Sequence, residues 1–303
     1  MIARRTLFRL VPLLALVTLS ACSVVGPAKP GVAVPAKPLP RPKIALALGG
    51  GAAKGFAHIG VIKVLESHGI VPDIVTGTSA GSVVGSLYAA GYNGLQLQSM
   101  AIKLDESNLT DFTLSTSGFI KGDKLAAFVN QAVGNRPLEK LGKPFGAVAT
   151  ELDSGQRVVF RQGNTGQAVR ASASIPNVFL PALIAGKRYV DGGLVSPVPV
   201  SAAREMGADF VIAVDISARP RAGSATGFLS IFDQSINIMN VTALAQELKQ
   251  ADVVIRPQVQ NMGSTSFEDR HQAILEGEKV ALQALPLIQK LVQQKSVAMA
   301  AVK

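Results

Sequence analysis

A single cysteine, Cys22, stands in a chain of 303 residues, so no intramolecular disulfide can brace the fold. Histidine is nearly as scarce, and His58, His68 and His271 are the whole set. No Cys/His spacing suited to a metal and no acidic calcium loop occurs, so neither a metal nor any other cofactor is expected. Charge is thin, at 17% Asp, Glu, Lys and Arg, and its imbalance is local. Of the formal +10, +3 belongs to residues 1–21 and +4 to residues 22–43, which leaves +3 for residues 44–303. A body so close to neutral lacks the basic surface that phosphate backbones demand, and no nucleic acid partner is expected. The apolar run from Leu10 to Leu19 is too short to span a bilayer. What the chain does have is 48% hydrophobic residues, enough to bury a sizeable core.

The N-terminus reads as a leader. Residues 1–21 begin with Arg4, Arg5 and Arg9, pass through that apolar run and end in small residues, the pattern of a secretory signal peptide. Its end, Leu19-Ser20-Ala21-Cys22, resembles the lipobox of bacterial lipoproteins. The resemblance implies that Cys22 becomes the first mature residue, is acylated and anchors the protein to a membrane. Ser23, rather than Asp, follows the cysteine, which by the same resemblance implies the periplasmic face of the outer membrane rather than the inner membrane. Residues 22–43 then carry Pro27, Pro30, Pro35, Pro38, Pro40 and Pro42, a semi-extended tether in which neither helix nor sheet forms. The expected organisation is a signal peptide at 1–21, a lipidated cysteine with its tether at 22–43 and one large domain at 44–303. Oligomeric state is not fixed by the sequence.

Within the body, Ile74 to Ala90 organises the rest. A short apolar run leads into Gly77-Thr78-Ser79-Ala80-Gly81, and the spacing of Val83, Val84, Leu87 and Ala90 then predicts a helix. A serine on a sharp strand-to-helix turn between two such glycines is the nucleophile-elbow pattern. Upstream, Ile44 to Leu48 predicts a buried strand that feeds Gly49-Gly50-Gly51, and a helix is predicted from Ala52 to His68. A phosphate loop would need Gly-Lys-Ser/Thr, but Gly55-Phe56 follows Lys54, and a dinucleotide fingerprint fits poorly. The remaining reading is an oxyanion hole built from the N–H groups around Gly50 to Ala52. Further strands are predicted at Phe145–Thr150, Gln156–Phe160, Tyr189–Asp191, Asp209–Ile216 and Val253–Ile255. Helices are predicted at 94–104, 122–133, 168–174, 197–206, 226–250 and 269–292. This alternation predicts an α/β fold with a mostly parallel sheet between helical layers.

Three motifs stand in order: Gly49-Gly50-Gly51-Ala52-Ala53-Lys54-Gly55, Gly77-Thr78-Ser79-Ala80-Gly81 and Asp191-Gly192-Gly193. Together they resemble the patatin-like phospholipase family, as do Ala171-Ser172-Ala173-Ser174-Ile175-Pro176 and Pro197-Val198-Pro199-Val200. The resemblance runs from about residue 43 to about residue 290. It implies a three-layer α/β/α patatin-like fold with a mostly parallel central sheet, and a lipid acyl hydrolase working through a Ser–Asp dyad. Carried over residue by residue, Ser79 is the nucleophile and Asp191 the base. Gly49, Gly50, Gly51, Ala52, Lys54 and Gly55 form the oxyanion loop. Gly77, Gly81, Gly192 and Gly193 complete the motifs. Lys54 stands where the family usually has Arg. Membrane lipids or fatty-acyl esters are the implied substrates.

Three alternatives stay open at this level. Asp191 could act as a turn aspartate that caps Gly192 and Gly193. His271, which follows Ser79 and Asp191 in the chain, could complete a Ser-Asp-His triad. The protein could also be a non-catalytic envelope lipoprotein that binds lipid or a partner in the acyl groove.

Overall fold

The structure is a computed structural model that describes residues 39–104, 120–220, 227–262 and 267–301. The expected signal peptide, Cys22 and the tether up to residue 38 lie outside the described residues.

The core begins with β1 (Ile44–Leu48), whose five residues are all buried. Such a strand, apolar on both faces, suits the centre of a parallel sheet covered by helices on each side. The chain then makes a single 3-10 turn at Ala52–Gly55 before α1 (Phe56–Ser67). The helix predicted from Ala52 therefore starts four residues late, because Ala52 takes a left-handed φ of 51° that no α-helix accommodates. β2 (Ile74–Thr78) and α2 (Ala80–Ala89) follow, then α3 (Gly94–Lys103) and α4 (Asp123–Ala132). β3 (Phe145–Glu151) and β4 (Arg157–Phe160) form the predicted hairpin. After α5 (Thr165–Ser172) come β5 (Ala182–Ile184) and β6 (Lys187–Asp191). No residue pattern marks β5, a three-residue edge strand that exists by pairing with β6. The chain closes with α6 (Val200–Glu205), β7 (Phe210–Val214), α7 (Phe228–Leu248), β8 (Val253–Ile255) and α8 (Arg270–Ala301).

The eight strands form one mixed sheet in the order β5-β6-β3-β2-β1-β7-β8, with β4 also on β3. The run from β3 to β8 is parallel, and β4, β5 and β6 add antiparallel pairings at one side. The two faces follow from strand alternation. Ile44, Leu46 and Leu48 point into a large core shared with α1, α2 and α8. Ala45 and Ala47 point the other way, into a smaller core with Val198 and Val200 before and in α6, and Leu244 of α7. Fully burying each large aliphatic side chain contributes about 1.5–3 kcal/mol, so the α1/α8 face carries most of the apolar stabilisation. The layering is therefore helices, sheet, helices, as predicted.

α1 and α8 cross at two glycines. A Cβ on Gly60 would overlap the Ile274 carbonyl oxygen, and one on Gly277 would overlap the Ala57 carbonyl oxygen. Backbones at this distance leave no room for a methyl group. Alanine gains about 1 kcal/mol over glycine in a loosely packed helix, whereas forced overpacking costs about 1–3 kcal/mol. Gly60→Ala is expected to lower the urea midpoint of unfolding, and an unchanged or raised midpoint would show that the crossing is not a close contact.

Candidate active site

Ser79 sits where β2 turns into α2, with φ 53° and ψ −124°. A serine in that region is strained by about 1–3 kcal/mol and persists only where its surroundings fix it. Two glycines make the turn possible. A Cβ on Gly77 would run into the backbone of Gly81 and Ser82, and one on Gly81 into the Leu48 carbonyl. The Ser79 N–H donates to Ser172 Oγ at 2.9 Å, and Ser172 Oγ donates to the Val148 carbonyl of β3 at 2.6 Å. A serine at the end of α5 thus ties the elbow to the neighbouring strand.

Sheet register brings in the second residue. Thr78, the last residue of β2, pairs with Val148 of β3. Asp191, the last residue of β6, pairs with Ala149 of the same strand. β4 occupies the other edge of β3 across Ala147–Thr150, so β2 and β6 must share one edge, running towards each other. Their C-terminal ends meet there, and Ser79 and Asp191 meet with them. Both are buried, at 6% and 7% exposure.

Asp191 is held by its backbone. Its N–H donates to the Ser174 carbonyl at 2.8 Å, and its own carbonyl accepts from Thr150 Oγ1 at 2.9 Å. On the side chain, Oδ1 accepts from the Gly193 N–H at 2.7 Å, so Asp191 does cap the glycine turn. Oδ2 is buried and has no full hydrogen bond. Burial pushes the carboxyl up to about 6, against the lowering effects of the Ser79 hydroxyl and the Gly193 N–H. The hydroxyl therefore lies close enough to act on the carboxyl, although the contact falls short of hydrogen-bond geometry. Catalytic contacts are commonly loose without substrate and tighten when it binds. One oxygen caps the turn and the other is left over, so capping does not exclude the base role expected of Asp191.

The glycine-rich loop runs beside the serine, and a Cβ on Gly50 would lie 3.2 Å from Ser79 Cβ. The expected donor set needs correction. The Gly49 N–H donates to the Val214 carbonyl at 3.0 Å and the Gly50 N–H to the Pro197 carbonyl at 2.9 Å, so both are consumed in holding the loop. The N–H groups of Gly51 and Ala52 make no hydrogen bond to any described residue, and they are the donors left for an oxyanion. Lys54 is buried within the 3-10 turn, and its N–H donates to the Gly51 carbonyl at 3.2 Å. Gly55 lies against the elbow, where a Cβ would come within 2.7 Å of Ala80 Cβ.

Besides Ser172, two supporting residues carry little signal of their role in the sequence. His58 of α1 is fully buried, and its Nε2–H donates to the Gly49 carbonyl at 2.8 Å, while Nδ1 is buried without a partner. Burial pushes this imidazole down to about 4, against the raising effects of the Gly49 carbonyl and the Asp215 carboxylate. It is a neutral post under the loop, not a base. Glu247 of α7 is the second. Its carboxylate accepts from Ser196 Oγ, the Ser201 N–H and Ser201 Oγ. The segment it grips makes contacts with both other motifs, because Thr78 Oγ1 donates to the Ser196 carbonyl and Gly50 N–H to that of Pro197. Its one sequence signal was its isolation, as the sole charged residue from Gln234 to Leu248. His271 lies exposed near the start of α8 and is not among the groups acting on Asp191, so the triad is not assembled.

The patatin-like phospholipase family model matches residues 46–204, more than half of the chain and all three motifs. Among curated proteins, an uncharacterised NTE family protein of Mycobacterium tuberculosis is 37% identical over 179 residues, covering 58% of this chain and 49% of its own. Lysophospholipase NTE1 of Meyerozyma guilliermondii is 32% identical over 179 residues, covering 57% of this chain and 12% of its own. The chain thus spans about half or less of the length of these relatives. In three dimensions VipD from Legionella pneumophila superposes with a TM-score of 0.58 at 15% identity, covering 82% of this chain and 67% of its own, which is a likeness of fold. With the family model lying across the elbow, the glycine loop and the acid turn alike, this chain belongs to the patatin-like phospholipase family.

Proposed function

We propose that this protein is a serine hydrolase of lipid acyl esters, a phospholipase A, lysophospholipase or carboxylesterase, in which Ser79 and Asp191 form the catalytic dyad. The observation that carries the proposal is the end-to-end meeting of β2 and β6 on one edge of β3, which sets a strained serine beside a carboxylate with one free oxygen. The name of the Meyerozyma relative, a lysophospholipase, supports the substrate class. Ser79 Oγ attacks the ester carbonyl carbon while its proton passes to Asp191 Oδ2. The Gly51 and Ala52 N–H groups stabilise the tetrahedral oxyanion, each donor supplying about 3 kcal/mol in a water-poor site. Collapse expels the alcohol, which takes the proton from Asp191. Water then attacks the acyl-serine and gives its proton to Asp191, which returns it to Ser79 as the fatty acid leaves.

A carboxylate is a weak base, and the burial that lifts Asp191 to about 6 brings it nearer the strength the reaction needs. The lipidated Cys22 belongs to the same proposal. Acylated, it would hold the domain at the periplasmic face of the outer membrane, within reach of lipid substrate, and a shift to the detergent phase that depends on Cys22 tests the anchor.

Fluorophosphonate labelling tests the nucleophile. Wild type and His271→Ala are expected to label and Ser79→Ala is not, whereas an unlabelled wild type would overturn the hydrolase reading. Hydrolysis by wild type is expected to rise about tenfold per pH unit below about 6 and to level off above it, as Asp191 deprotonates. A flat profile from pH 4 to pH 8 would remove Asp191 as the base.

The same group fixes a stability test. Its folded pKa of about 6 lies above the ordinary 3.8, so its contribution is fully favourable below 3.8 and is lost as pH rises through 6. The penalty at pH 8 is about 3 kcal/mol. Asp191→Asn is expected to abolish turnover yet raise the thermal midpoint above that of wild type at pH 8, with the gain vanishing near pH 3.5. A midpoint lowered at pH 8 would mean that the carboxylate is needed for folding.

A further inference from the structure

One charged cluster beside the active site is left unused by the mechanism. Asp215, the residue after β7, is buried to 1% exposure. Its Oδ1 accepts from the Ser217 N–H at 3.1 Å, and its Oδ2 accepts from Arg219 Nη2 at 2.7 Å and Arg256 Nε at 3.0 Å. One cation would neutralise this carboxylate, and here there are two. The surplus charge faces outward, since the arginine side chains are 38% and 53% exposed. Each guanidinium spends one N–H on Asp215, and its remaining N–H groups have no partner among the described residues. A guanidinium offers five donors in a planar fork, and the free edge of such a fork matches two oxygens of a phosphate.

The cluster also holds polar atoms that lack partners. Ser217 Oγ and Gln260 Oε1 are both buried and unsatisfied, and Gln260 Nε2 donates to the Ser217 carbonyl at 3.4 Å. A buried hydroxyl without a partner calls for an explanation such as a bound group. The position of the cluster narrows the choice. Ile216 packs against the oxyanion loop, and a Cβ on Gly51 would lie 2.8 Å from Ile216 Cδ1 and 3.0 Å from its carbonyl oxygen. Asp215 is near enough to His58, under the same loop, to act on it electrostatically. In a glycerophospholipid the scissile carbonyl is separated from the phosphorus only by the ester oxygen, glycerol carbons and one phosphate oxygen. An ester held at Gly51 and Ala52 therefore leaves its phosphate within the neighbourhood of residues 215–219.

We propose that Arg219 and Arg256, fixed by Asp215 beside the oxyanion loop, form a binding site for the phosphate of a phospholipid substrate, with Ser217 Oγ as a further donor. Asp215 holds both forks in place before substrate arrives, so little side-chain entropy is lost on binding. The site selects phosphate-bearing esters over neutral ones with the same acyl chain. It rests on the hydrolase reading of Ser79 and adds headgroup selection to it.

The test uses the full-length protein in detergent, with 1-lauroyl-lysophosphatidylglycerol and 1-lauroylglycerol as substrates of equal acyl chain. In Arg256→Gln, which leaves Arg219 to pair with Asp215, KM for the phosphate-bearing ester is expected to rise about tenfold with kcat little changed. Turnover of 1-lauroylglycerol is expected to stay within about twofold of wild type. Arg256→Lys, which keeps the charge and loses the fork, is expected to fall between the two. Equal losses on both substrates, or no loss on either, overturn the proposal. If wild type hydrolyses neither ester, the hydrolase reading fails, and calorimetry on Ser79→Ala decides the phosphate site separately. Tighter binding of the lysophospholipid than of the monoacylglycerol, lost in Ser79→Ala/Arg256→Gln, supports the site. Binding of inorganic phosphate with no preference between the two lipids identifies a free-anion site and overturns the headgroup assignment.

Discussion

The meeting of β2 and β6 on one edge of β3 is the constraint on which the rest of the site depends. A strand has two edges, and β4 already fills one beside Ala147–Thr150. The parallel β2 and the antiparallel β6 must then divide the other between them, at Val148 and Ala149. Serine and aspartate come together because backbone ladders stop there, not because their side chains seek each other. Ladder hydrogen bonds are many and cooperative, so the junction can carry a buried carboxylate and a strained serine without loosening.

Around that junction the structure uses main-chain carbonyls as fixed points. Val214 and Pro197 hold Gly49 and Gly50, Ser196 holds Thr78, and Ser174 holds Asp191. Each contact removes a donor from the reaction and gives a position in return. That is why one of the three amides expected at the oxyanion hole, that of Gly50, is not available, and why the loop is held stiffly beside the remaining N–H groups of Gly51 and Ala52. Ser79 and Ala52 are the two non-glycine residues with left-handed φ at this site, and they are the positions proposed as nucleophile and oxyanion donor. Strain concentrated at these two positions is what the proposed preorganised site requires.

Electrostatics divide the neighbourhood into a dry part and a wet one. Asp191 and His58 are buried, and the loss of solvent lifts the acid towards 6 and drops the imidazole towards 4. Asp215 is buried as well, yet its two arginines open to solvent. The first setting suits the proton transfer proposed for Asp191, since burial raises a carboxylate's basicity, and the second suits the proposed recognition of a charged, hydrated group.

Much of this was legible in the residue order. The apolar runs at Ile44–Leu48 and Val253–Ile255, the hairpin at Asp153-Ser154-Gly155 and the three glycine motifs depend on local chemistry, which a sequence carries directly. Ser79 was legible for the same reason, since its turn tolerates few residue types, whereas Asp191 stood out only through the resemblance carried by the three motifs in order. The edge strand β5, the loss of the Gly49 and Gly50 amides, and the parts played by Ser172, His58 and Glu247 were not legible. Most depend on partners far along the chain, as Gly49 does on Val214, Gly50 on Pro197, Ser172 on Ser79 and Glu247 on Ser196, while β5 and the burial of His58 against the Gly49 carbonyl exist only once the sheet and its helices have packed. The sequence by itself determined which residues could do the chemistry, because turn geometry and burial act within a few residues. Only the tertiary structure decided which hydrogen-bond donors and oxygens remain free to do it, because that depends on what the folded backbone has already used.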